Sequence, residues 1–272
     1  MRCTVMHGAG NSFVLTEDLH GELQGEDLSG LALRLCARAE TDGMIVVMPA
    51  AGEEDFGMLF YNSDGSLGEM CGNGARCIAR YGLEHGLARD PQNIRVLATA
   101  GPVTARRIDE ERYELRLNDP SAVDLHRPVE ALGAVWDCAY VELGDPGIPH
   151  AVVEIPAVDF DDRDSLRERG RALRWSSVFP RGANVSFVCP TEEDRVRAIT
   201  FERGVEDFTL ACGTGCGAIA VSLALRGRLP GDSVTIDMPG GRLDVRFRRE
   251  GGAVSELLLT GPTAVVGEFQ IE

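Results

Sequence analysis

The sequence predicts an α+β protein of two pseudo-symmetric halves, each a curled, mostly antiparallel sheet around a central helix. Three observations predict it. A cysteine followed by Gly-x-Gly occurs twice, as Cys71-Gly72-Asn73-Gly74 and Cys212-Gly213-Thr214-Gly215, about half a chain length apart. Each copy runs straight into a helical pattern bounded by a glycine, Gly86 in the first case and Gly227 in the second. Short apolar runs separated by turn residues surround both copies, which is a strand signature.

The elements follow in order. Strands are expected at 3–6 and 12–16, flanking the Gly8-Ala9-Gly10-Asn11 turn, then a helix over 28–39. Strands at 43–48 and 57–61 lead to the helix after Cys71, and strands at 95–98, 103–108 and 113–117 follow. Asn118-Asp119-Pro120 breaks the pattern and marks the crossing point. Beyond it come strands at 139–143 and 151–154, a charged amphipathic helix over 164–173, and strands at 184–188 and 197–201. The helix after Cys212 is followed by strands at 233–237, 243–249 and 253–260. A last apolar run, 264–271, suits pairing with either half. The expected division is therefore 1–118, carrying Cys71, and 119–261, carrying Cys212. The active site is expected in a cleft facing both helix N-termini.

Composition removes several functional classes. Hydrophobic residues make up 44% of the 272, enough for a full core. No apolar run reaches the length of a membrane span, and no signal-peptide pattern precedes the first strand. A net charge of −16 argues against nucleic acid and anionic membranes as partners. The chain has no lysine, so all 27 basic residues are arginine. That excludes a pyridoxal-phosphate Schiff base, a P-loop and Schiff-base aldolase chemistry. The eight cysteines, without a secretion pattern, suggest reduced thiols and a cytoplasmic location. Cys3, Cys36, Cys138 and Cys189 read as small buried hydrophobes, as do Cys77 and Cys216. A zinc site from Cys71, Cys77, Cys212 and Cys216 has poor ligand spacing, so neither metal nor cofactor is expected.

Two equivalent thiols at helix starts are what a racemase without a cofactor needs. One thiol serves each face of a substrate carbon. Unpaired N–H groups and the positive dipole end of a helix stabilise an anion, so both cysteines are expected to have lowered pKa values. The same N–H groups suit the carboxylate of an amino acid. Asn62-Ser63-Asp64-Gly65-Ser66 is sufficiently explained as a turn, and Glu202-Arg203-Gly204 as a solvated strand end. Yet both occupy corresponding places ahead of their cysteines, which points to one shared cleft. Asn184 starts a strand after an Arg-Gly-Ala turn, and Pro149-His150 starts another, its histidine read as structural.

With those residues on the page, the chain resembles the diaminopimelate epimerase family of cofactor-independent amino-acid racemases. The matching stretches are His7 to Phe13, Tyr61 to Ser66, Glu69 to Arg76, Pro149-His150, Asn184-Val185, Glu202 to Gly204 and Thr209 to Gly215. They run in order through the whole chain. The resemblance implies that the last strand, in 262–272, returns to the first half. It implies Cys71 and Cys212 as the acid–base pair, with no cofactor. Gly72, Asn73, Gly213 and Thr214 are similar to the clamp at the reacting end. Asn11, Asn62, Asn184, Glu202 and Arg203 match substrate-binding positions, with Arg203 on the distal carboxylate. The implied reaction converts LL-2,6-diaminopimelate to the meso form, a step toward lysine and peptidoglycan, in an enzyme that is often a homodimer.

Three departures bear on specificity. Ser12 stands where the family often has aspartate, Ile148 where it often has asparagine, and the stretch 36–43 is short. Two alternatives stay open. One is a related racemase acting on histidine, lysine or proline; the other is a thiol redox or zinc-binding protein.

Overall fold

The structure is a computed structural model and describes residues 1–50, 52–68, 71–99 and 101–271. Glu69 and Met70, which open the first cysteine motif, lie outside the described residues. The chain divides into two compact units, Met1–Arg116 with Thr260–Glu272, and Leu117–Leu259.

The first unit begins with β1 (Arg2–Gly8), β2 (Asn11–Glu17), α1 (Leu28–Ala39), β3 (Gly43–Met48), β4 (Phe56–Asn62) and the short β5 (Leu67–Gly68). It continues with α2 (Gly72–Glu84), β6 (Ile94–Ala98), β7 (Gly101–Arg107) and β8 (Arg112–Arg116). Period-2 alternation sends successive side chains to opposite faces of the sheet. Met6, Phe13, Leu15, Ile45 and Val47 pack with Ala75, Cys77 and Ile78 of α2. Cys3, Val14, Met44 and Val46 face the other way and pack with Leu31, Ala32, Leu35 and Cys36 of α1. Asp27 caps α1 by accepting the Gly30 N–H at 3.1 Å, which satisfies one of the unpaired donors of the first turn.

The second unit holds β9 (Pro120–Ala131), β10 (Ala134–Leu143), β11 (Ile148–Glu154), α3 (Ala157–Phe160), α4 (Arg163–Arg174), β12 (Asn184–Glu192) and β13 (Arg195–Phe201). Then come α5 (Gly213–Leu225), β14 (Ser233–Met238), β15 (Gly241–Glu250) and β16 (Ala253–Pro262). Leu166 and Leu173 of α4 bury against Ala151, Val153, Val185, Phe187 and Phe201. Ala218 to Leu223 of α5 are buried without a break, as expected of a helix apolar on every side. Asp162 caps α4 through the Ser165 N–H at 3.1 Å.

The two units repeat one pairing order. In the first, β1–β2 is antiparallel, β2–β3 parallel, β3–β4 antiparallel, β4–β6 parallel and β6–β7 antiparallel. In the second, the same alternation runs through β10–β11, β11–β12, β12–β13, β13–β14 and β14–β15. Each parallel pair needs a crossover connection. The helices α1 and α2 lie in the first unit's two crossovers, and α4 and α5 lie in the second's. The last strand, β17 (Ala264–Gln270), pairs antiparallel with β1, so the final apolar run belongs to the first unit. β5 and α3, of two and four residues, are too short to show a period in the sequence, and β9 and the start of β10 also go beyond the sequence reading. β9 has no strand signal in the sequence because a single residue of it is buried and it contains Pro120 and Pro128. β10 starts five residues earlier than expected because Ala134 to Cys138 pair with β9.

Candidate active site

In the first unit, Cys71 is the N-cap of α2, with extended φ −133° and ψ 113°. Its carbonyl accepts the Ala75 N–H at 2.8 Å and so starts the helical ladder. Gly72 is the first helical residue and Asn73 the second. Asn73 is 3% exposed, and its side chain bridges two partners. Its amide donates to Asn11 Oδ1, and its oxygen accepts from Arg76 Nη2 at 2.7 Å. The end of β1 presses on this turn. A Cβ at Gly8 would meet Asn73 O at 2.8 Å and Cys77 Sγ at 3.2 Å, so only glycine allows that approach. Asn62 ends β4 and is tied into its own turn, with Nδ2 donating to Ser66 Oγ at 2.9 Å. Ser12 donates to Asp42 Oδ2 through its N–H at 2.8 Å and its hydroxyl at 3.1 Å. Asn11, Cys71, Gly72 and Asn73 are thus brought together, whereas the Asn62 amide is turned to Ser66.

In the second unit, Cys212 is the N-cap of α5, with nearly the same backbone, φ −122° and ψ 107°. Its carbonyl accepts the Cys216 N–H at 2.9 Å. Its sulfur accepts the Gly215 N–H at 3.3 Å and lies 3.7 Å from Thr214 Oγ1. Gly213 and Thr214 form the first turn. Glu202 follows β13 as Asn62 ends β4, and its carboxyl hydrogen-bonds with Thr209 Oγ1 and with the Cys212 thiol. Burial raises the Glu202 pKa above the ordinary carboxylate value, only partly opposed by those two donors. Burial also raises the Cys212 pKa well above that of a free thiol, and the neighbouring Glu202 charge adds to the rise. The lowered pKa expected from the helix start is therefore overturned at Cys212. Loss of solvent outweighs the contribution of the Gly215 N–H and Thr214.

Glu202 and Arg203 diverge. The Glu202 carboxyl faces Cys212, whereas Arg203 points elsewhere. The Arg203 N–H donates to Asn184 Oδ1 at 2.8 Å, and Asn184 Nδ2 donates to Pro149 O at 3.2 Å. The Arg203 guanidinium donates to Arg181 O at 3.3 Å and is exposed. Below it, His150 is fully buried, and neither ring nitrogen has a partner among the described residues. Burial, reinforced by the Arg203 charge, lowers its pKa to about 3. Cys77 and Cys216 are buried at 0% exposure, with the Cys77 pKa pushed up to about 12 by burial. Among the described residues, no group of three His, Cys, Asp or Glu side chains is arranged to hold a metal ion.

Two helices of equal length, each capped by a cysteine at the same place in a repeated pairing order, form a specific pattern. The family model described as diaminopimelate epimerase matches residues 3–121 and 144–266. The chain belongs to the diaminopimelate epimerase family.

The diaminopimelate epimerase of Aquifex aeolicus is 33% identical over 98% of this chain and 96% of its own length. That of Methanothrix thermoacetophila is 35% identical over 96% of this chain and 92% of its own. Solved structures extend the fold. A phenazine biosynthesis protein of the PhzF family from Bacillus anthracis aligns with a TM-score of 0.75 at 14% identity, covering 100% of this chain and 99% of its own. A hydroxyproline epimerase from Agrobacterium vitis aligns with a TM-score of 0.67 at 20% identity, covering 100% and 92%. Within this family member, sequence reasoning missed Thr209 and Arg181. Thr209 lies inside a recognised stretch, and a half-buried carboxylate at Glu202 calls for such a donor. Arg181 carries no motif signal, because its contacts depend on how two loops meet.

Proposed function

We propose that this protein is an isomerase that interconverts LL- and meso-2,6-diaminopimelate without a cofactor, using Cys71 and Cys212 as a pair of acid–base groups. The observation that supports this most strongly is the repeated cysteine-capped helix. Each copy supplies one thiol at the N-terminus of a helix. In the reaction, one thiolate takes the α-proton from one face and becomes a thiol. The other thiol delivers its proton to the opposite face and becomes a thiolate, so protons balance and only one stereocentre changes. The α-hydrogen is a weak acid, and the first-turn N–H groups of α2 and α5 stabilise the carboxylate as negative charge builds on it.

Glu202 acts as the base that receives the Cys212 proton. This role follows from the contact described above and explains how a thiol with a raised pKa becomes reactive. Asn184 and Arg203 bind the distal end, Arg203 pairing with the distal carboxylate. Asn11 and Asn73 order the first turn of α2, and Asn62 completes the substrate contacts. A substrate without a distal carboxylate leaves Arg203 unpaired, which favours diaminopimelate over histidine, lysine or proline. The halves 1–118 with 262–272, and 119–261, are part of this reading. So are a cytoplasmic location and a homodimer. Among the described residues, no helix is long and apolar enough to cross a membrane.

Proton NMR of the reduced protein in deuterium oxide tests the reading, with LL-diaminopimelate, histidine, lysine and proline in parallel. Loss of the α-proton signal with formation of the meso isomer, for diaminopimelate alone, is expected. Exchange on another amino acid and none on diaminopimelate would reassign the substrate.

A further inference from the structure

A closed circuit of hydrogen bonds runs through Asn184, Pro149, Gly147, Arg181 and Arg203. Asn184 links the Arg203 backbone to Pro149 O, as described above. Two residues before Pro149, Gly147 O accepts from Arg181 Nη1 at 3.1 Å. The Arg203 guanidinium closes the circuit on Arg181 O. The other end of the Arg181 fork pairs with Glu142 at 2.7 Å, and Glu142 is only 17% exposed. Glu142 in turn accepts the Tyr140 hydroxyl, and the Tyr140 ring stacks on Phe179 at 5.4 Å. Phe179 and Arg181 therefore pin the same loop at two points. Gly147 makes room for this arrangement, since a Cβ there would meet Glu142 Oε2 at 2.5 Å. Ile148 offers no polar side chain, so the turn before β11 takes its side-chain fastening from Arg181.

We propose that Arg181 is a positioning residue that aims Arg203 at the distal carboxylate of the substrate. This rests on the function proposed above. Arg203 is a long, exposed side chain, and ordering it on binding costs rotamer freedom. A fixed carbonyl that already holds one of its nitrogens reduces that cost. The Arg181 fork fixes that carbonyl by gripping Glu142 and Gly147 O together. A lysine ammonium cannot span both with the same planar geometry.

The test is steady-state kinetics with LL-diaminopimelate on the full chain and on Arg181→Ala, Arg181→Lys, Glu142→Gln and the double variant Arg181→Ala/Glu142→Gln, with thermal unfolding alongside. Both alanine and glutamine variants are expected to raise KM about tenfold with kcat within about twofold, and the double variant to be no worse than either. Arg181→Lys is expected to raise KM as well, with the midpoint of unfolding nearly unchanged in all four. Unaltered KM in Arg181→Ala, wild-type KM in Arg181→Lys, or parallel loss of kcat and thermal stability would each overturn the proposal while leaving the epimerase reading intact. No turnover of diaminopimelate by the unaltered chain would overturn that reading and this inference with it.

Discussion

The buried Cys212 thiol lies against the half-buried Glu202 carboxyl, whose charge raises the thiol pKa, while the thiol's hydrogen bond partly opposes the rise that burial gives the carboxyl. In the proposed reaction, the useful state has one negative charge shared across the contact, on the carboxylate or on the sulfur. Because burial raises the Glu202 pKa, that charge is present only above the ordinary carboxylate range. The account therefore predicts that kcat/KM rises with pH on a limb whose midpoint lies above 4.5, the usual value for glutamate. Glu202→Gln should remove that limb and lower the rate by about 10²-fold or more. A pH–rate profile of the two proteins checks it. An unchanged limb in Glu202→Gln would remove Glu202 from the proton path.

His150 gives a separate prediction about stability. Its folded pKa is depressed from 6.5 to about 3, so the folded chain binds it neutral while the unfolded chain protonates it below 6.5. The unfolded state then holds more protons, and stability is lost as pH falls through that window. The lost stability between pH 6.5 and pH 5 is about 2 kcal/mol. Urea unfolding at the two pH values, for the unaltered chain and for His150→Leu, measures the difference. Equal losses in both proteins would show that His150 does not carry it.

At the scale of elements, both cysteines are positioned by the same device. In each unit an extended cysteine caps a helix whose first residue is glycine. In the first unit, the fit between β1 and α2 depends on Gly8, where the sheet meets the helix backbone. Gly8→Ala places a methyl against Asn73 O and Cys77 Sγ, and the expected cost is about 1–3 kcal/mol, the usual range for overpacking. Activity should fall along with stability, because Asn73 carries both the contact to Asn11 and the first turn of α2. Chemical denaturation and turnover on the same preparation check this. A fully active, equally stable Gly8→Ala would contradict the tight approach.

The helices and their caps were legible in the sequence because Cys-Gly-x-Gly before an alanine-rich run is a local signal. β9 was not, because its exposed residues and two prolines carry no alternation, and only pairing with β10 makes it a strand. The pKa of Cys212 was misread for a related reason. A helix start is visible in sequence, but the buried carboxylate beside it belongs to a residue ten positions away in the fold's loop geometry. Arg181 was invisible for the same cause.

At the scale of the whole molecule, one alternating pairing order is used twice, and each use delivers a cysteine at the second helix crossover. In the proposed reaction, a chain whose basic residues are all arginine draws its chemistry from thiols, carboxylates and helix ends. The central claim is that two separate thiols handle the proton, one for each face. That claim has a distinctive isotopic consequence, because a cysteine carries a single transferable proton. Incubation of LL-diaminopimelate in deuterium oxide, stopped at low conversion, tests it by mass and NMR analysis of product and recovered substrate. The account predicts deuterium at the inverted carbon of the meso product and none in the recovered LL substrate. Deuterium entering both at the same rate would mean that one base serves both faces, and would contradict the two-thiol mechanism.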